Sequence, residues 1–112
     1  MSDDLALRLS AVTLTCYQRA VASPVPDAWR DLAAISDVVR RLVGVPSRDA
    51  RGWRDPHDGE CAWGVAKTLN VGATAPKVVA TLSPARRRAL AALSDVADEL
   101  ADTIATHDTR PR

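Results

Sequence analysis

Fourteen residues in the middle of the chain, Arg51-Gly-Trp-Arg-Asp-Pro-His-Asp-Gly-Glu-Cys-Ala-Trp-Gly64, gather the side chains best suited to chemistry. His57, Glu60 and Cys61 are spaced i, i+3 and i+4, so on a helix they share one patch. Imidazole, carboxylate and thiolate all bind zinc, and three ligands with an open fourth position form the catalytic pattern. Cys61 as nucleophile with His57 as its base is the parallel possibility. Against both, three ligands so close on one helix crowd each other, and His107 and Cys16 are remote in sequence. A helix start explains most of the stretch more simply: Asp55 caps, Pro56 takes the first position and Asp58 follows three residues after the cap. Cys61 then packs inward. What remains is Arg51, Trp53 and Arg54, an indole between two guanidiniums. Trp and Arg are enriched at binding hot spots, so these three are expected to form an interaction surface.

A second group of ionisable residues lies near the C-terminus. Asp95, Asp98, Glu99 and Asp102 fall at i, i+3, i+4 and i+7 and share one helical face. Hard cations such as Mg²⁺ take oxygen ligands, and crowded acids repel unless a cation or arginine compensates. Glu99-Leu-Ala-Asp102 resembles the second acidic motif of the all-α nucleoside triphosphate pyrophosphatases, which implies Mg²⁺-dependent nucleotide hydrolysis. That family also carries Glu-x-x-Glu on the preceding helix, and residues 61–94 here contain no acid. A solvated acidic face is the expectation, with no metal and no cofactor assigned. Arg86, Arg87 and Arg88 precede these acids, the reverse of what the helix macrodipole prefers. Antiparallel pairing of two copies sets arginines against acids, with Leu90, Leu93 and Leu100 along its seam.

A third constellation concerns nucleic acid. Val65-Ala-Lys-Thr-Leu-Asn-Val-Gly72 followed by Lys77-Val-Val-Ala-Thr-Leu82 resembles a helix-turn-helix over residues 64–82, with Ala66 at the helix crossing and Asn70 at the left-handed turn position. The resemblance implies a DNA-binding regulator whose Lys67, Lys77, Arg86, Arg87 and Arg88 contact phosphates. Pro76 departs from the motif, and few side chains there can read base edges.

These groups are carried by helices. Ser2 reads as a cap, and Leu5, Leu9, Val12, Cys16 and Ala20 recur at helical spacing. A second line of Leu7, Ala11, Leu14 and Val21 makes this helix apolar on two sides, fit for the middle of a bundle or for sharing with a second chain. Ser23-Pro-Val-Pro26 ends it. Asp27, or the residue before Pro26, opens a second helix that buries Trp29, Leu32, Ala33, Ile35, Val38, Val39, Leu42 and Val43 and closes at Gly44 and Pro46. A third helix carries Cys61, Ala62, Val65, Ala66 and Leu69 inward. Asn70 to Thr74 reads as a turn, and 76–82 as one or two helical turns. Ser83-Pro84 starts the last helix, in which Leu90, Leu93, Ala97, Leu100 and Ile104 alternate three and four apart.

The expected fold class is therefore all-α: a bundle of four main helices plus the short extra turn near 76–82. It forms one domain over 1–105 with a flexible tail at 106–112. Composition agrees, since phenylalanine is absent and Ala-rich cores favour close helix packing. Arg far outnumbers Lys, a bias of GC-rich coding that points to a bacterium or its phage. A net charge of +1 excludes binding driven by a generally basic surface. No basic leader and no membrane-length apolar run are present, so cytoplasm is the expected compartment. The functional expectation is a small non-catalytic regulatory or adaptor protein working by protein–protein interaction, most simply as a homodimer. The DNA-binding regulator and the Mg²⁺-dependent pyrophosphatase stand as its alternatives.

Overall fold

The computed structural model describes residues 2–52 and 62–108 and is all-α, with no strand among those residues. α1 (Ser2–Ala22) and α2 (Pro26–Val43) form an antiparallel hairpin, followed by α3 (Ala62–Leu69), two single turns α4 (Val71–Thr74) and α5 (Pro76–Val79), and the long α6 (Pro84–Asp108). α2 packs between α1 and α6, and α3 lies against α6. The four longer helices close one core.

Local chemistry sets the boundaries. Ser23 Oγ accepts from the Val25 amide at 3.0 Å, and Pro26 starts α2. Gly44 ends α2 in the left-handed conformation (φ 75°), where its amide reaches the Arg40 and Arg41 carbonyls. An L side chain is strained there, which is why glycine stands at this position. Ser83 caps α6, its Oγ accepting from the Arg86 amide at 3.2 Å.

The first apolar line of α1 is buried as its spacing predicts: Leu5, Leu9, Val12, Cys16 and Ala20 all face the core. Leu32, Val39, Val65, Leu69 and Ile104 join them with almost no exposure, each contributing about 2 kcal/mol by burial. Trp29 is 3% exposed and is the largest side chain of this core.

Several expectations are corrected. Ser2 lies in α1 itself, not before it. The second line of α1 is not central: Leu7, Ala11 and Leu14 are half-buried and Val21 is 88% exposed, because α2 covers only one side. Val38 is 43% exposed and Leu42 only half-buried. Asn70 is not left-handed (φ −79°), and residues 71–74 form a helical turn after it. α6 continues past Thr106 to Asp108. The helix start expected at Asp55 lies outside the described residues.

Candidate functional site

Arg51 is exposed and held by Asp49, with Nη2 at 2.8 Å and Nε at 3.0 Å from its carboxylate oxygens. These hydrogen bonds hold the Asp49 carboxyl down at about 2. Trp53 and Arg54, like His57, Glu60 and Cys61, lie outside the described residues. Cys16 is buried in the core, and burial pushes its thiol up to about 12. It is packing material rather than a nucleophile.

Asp95, Asp98, Glu99 and Asp102 are all exposed on α6. Among the described residues no three His, Cys, Asp or Glu side chains come together to hold a metal. The 64–82 segment has no recognition helix of the usual kind. α4 and α5 are four residues each, separated by Ala75, so Lys77 sits on a single exposed turn. Lys67 and Arg86 to Arg88 are exposed as well. The Arg86 guanidinium also has a structural role: Nη1 donates to the Leu42 carbonyl at 3.3 Å, capping the end of α2.

A cleft of about 200 Å³ lies between α1, α2 and the connection that follows α2, lined by Ser10, Thr13, Leu14, Tyr17, Asp37, Arg40, Ser47 and Arg48. Its polar groups fasten the connection down. Arg40 donates to Asp37 Oδ1 and to the Val45 carbonyl, both at 3.0 Å, and Ser10 Oγ accepts from the Arg48 amide at 3.0 Å. Thr13 and Ser36 meet hydroxyl to hydroxyl across α1 and α2. The cleft is a polar seam more than a receptor.

The larger feature is a face that sequence reasoning reached only in part. Thr13–Ser36 and the cleft put α1 on the side of α2 that carries Ser36 and Arg40. The opposite flank, with Asp31, Ile35, Val38 and Leu42, is left for α6. Arg86 places the start of α6 beside the end of α2, so α6 runs back along it. For right-handed helices in that arrangement, the flank of α6 beside α2 carries Ala89, Leu93, Val96 and Leu100. Leu42, Leu93 and Leu100 are half-buried against the core, while Val38 and Val96 are 43% and 45% exposed. Ala34 and Ala92, also exposed, complete the outer surface.

Leu90, expected on a seam between copies, is instead 5% exposed within this chain's own core. Leu93 and Leu100 do reach the outer flank. A wheel drawn for α6 alone shows one broad apolar stripe. What splits it into an inner and an outer line is the position of α2, which single-helix periodicity does not contain.

No protein-family model, curated protein or solved structure matches this chain.

Proposed function

We propose that the protein is a non-catalytic helical module that works by protein–protein association through the outer face of α2 and α6. The observation that carries this reading is the pair of exposed valines, Val38 and Val96, over half-buried Leu42, Leu93 and Leu100. An apolar patch spread over two neighbouring helices marks a surface that a partner covers. Asp27 pairs with Arg30, Asp37 with Arg40 and Arg41, and Asp49 with Arg51, each within four residues of its partner, and all but Arg40 are substantially exposed.

The test is affinity capture from the native cells, wild type against Val38→Glu/Val96→Glu. The buried carboxylates this double variant would force into an interface should reduce captured protein at least tenfold, with the helical circular dichroism unchanged. Equal capture by the variant would remove the reading.

A further inference from the structure

The cations of this chain divide into those that are paired and those that are not. In α1, α2 and the connection after them, Arg8 pairs with Asp4, Arg30 with Asp27, Arg40 and Arg41 with Asp37, and Arg51 with Asp49. Residues 62–94 hold Lys67, Lys77, Arg86, Arg87 and Arg88, all exposed, and no Asp or Glu. Arg86 is engaged by the Leu42 carbonyl. Among the described residues, the side chains of Lys67, Lys77, Arg87 and Arg88 have no ion-pair or hydrogen-bond partner.

These cations collect toward the end of the bundle where α6 begins. α3 stops two residues after Lys67, and the single turns α4 and α5 carry the chain past Lys77 into α6, whose opening turns hold Arg87 and Arg88. The nearest acids are paired or set apart. Asp37 is held by Arg40 and Arg41, and Asp3 and Asp4 stand on α1, with α2 packed between α1 and α6. Along α6 the first acid is Asp95, about 10 Å of helix rise beyond Arg88. Arg54, Asp55, Asp58 and Glu60 lie outside the described residues.

We propose that this end of the bundle, separately from the α2/α6 face, binds the phosphate backbone of double-stranded DNA without reading its sequence. Lys77, Arg87 and Arg88 make the phosphate contacts, and Lys67 flanks them. A cation with no partner neutralises a phosphate without first breaking an ion pair, and each such contact releases counterions from the DNA. The guanidinium fork matches phosphate oxygens, and the start of α6 adds the positive end of its dipole. Other polyanions fit less well. The exposed large apolar side chains are Tyr17, Val21, Val38, Trp63 and Val96, none of them on α4, α5 or the opening turns of α6. No apolar wedge is therefore offered to a bilayer. Trp63, one turn before Lys67, is a single ring, whereas single strands are held on a succession of them. Base edges go unread because α4 and α5 are too short to lie along a major groove. With a net charge of only +1 the attraction is local, so binding is weak, on the order of 1–100 μM at physiological salt.

The test is fluorescence anisotropy of the full chain with two labelled DNA duplexes of unrelated sequence. Both should bind equally, and affinity should fall on the order of a hundredfold between about 0.05 and 0.2 M NaCl, each phosphate contact contributing a log–log slope of about −0.9. Arg87→Ala/Arg88→Ala should leave the helical circular dichroism unchanged, since alanine favours helix. It should weaken binding at the lower salt at least about tenfold and flatten the slope by about 2. Arg30→Ala/Arg51→Ala removes the same charge from paired positions and should leave the slope unchanged. Absence of binding at the lower salt, or equal losses in the two double variants, would overturn the proposal. So would a strong preference for one duplex sequence, for the single strand, or for phosphatidylserine vesicles over the duplex.

Discussion

Cys16 shows how a single residue type changes meaning with its surroundings. Its thiol is 0% exposed among apolar neighbours, and desolvation lifts its ionisation to about 12 from the usual value near 9. A raised thiol value means the folded state resists forming the thiolate. The resulting stability is intact below pH 9 and is lost progressively as pH climbs toward 12, where only the unfolded chain ionises freely. In a Cys61→Ser background, Cys16 should stay unreactive toward a thiol-specific disulfide reagent at pH 8 and react only after denaturation. Rapid labelling of the native protein would show that the thiol is not buried as described. The burial of Cys16 could be read from its place in the Leu5–Ala20 line. The exposure of Val38 could not. It continues the apolar run of α2, and only the position of α6 on the neighbouring flank decides that it faces outward.

At the scale of elements, boundaries were more legible than packing. Gly44 and Ser83-Pro84 mark helix ends through chemistry contained in a few residues, a left-handed stop and a hydroxyl cap, and both occur where that chemistry places them. The turn at Asn70 misleads for the opposite reason. A left-handed asparagine is cheap but not required, and here residues 71–74 wind into a further turn with Val71 buried against the core. The stretch from Val71 to Val79 is thereby divided into two short turns where the sequence suggested a turn and then a helix. The small residues of α6 are equally dependent on context. Ala97 and Ala101 are 0% exposed, so α6 sits close to its neighbours along that line. Ala97→Leu adds three carbons where no space is left and should cost about 1–3 kcal/mol through strain. For a domain of this size that corresponds to a fall in melting temperature on the order of 10 °C. The same change at exposed Ala92 should leave the melting temperature within a few degrees. Equal effects at the two positions would contradict the inner and outer lines assigned to α6.

For the whole molecule, the separation of charge matters more than its sum. A net charge of +1 gives almost no overall field, and along α2 and the connection after it the charges cancel locally as well: Asp27 pairs with Arg30, Asp37 with Arg40 and Arg41, and Asp49 with Arg51. α6 is different, with exposed Arg86, Arg87 and Arg88 at its start and exposed Asp95, Asp98, Glu99 and Asp102 beyond them. That order opposes the helix dipole and costs about a few tenths of a kcal/mol for each exposed charge. Salt screens this cost, since the Debye length shortens from about 10 Å at 0.1 M to about 3 Å at 1 M. The exposed local pairs that salt also weakens contribute little in the first place, and the apolar core is unaffected or slightly strengthened. The melting temperature followed by circular dichroism should therefore hold or rise slightly between about 0.05 and 0.5 M NaCl. A fall of more than a few degrees would show that the local ion pairs, and not the core, carry a substantial part of the stability.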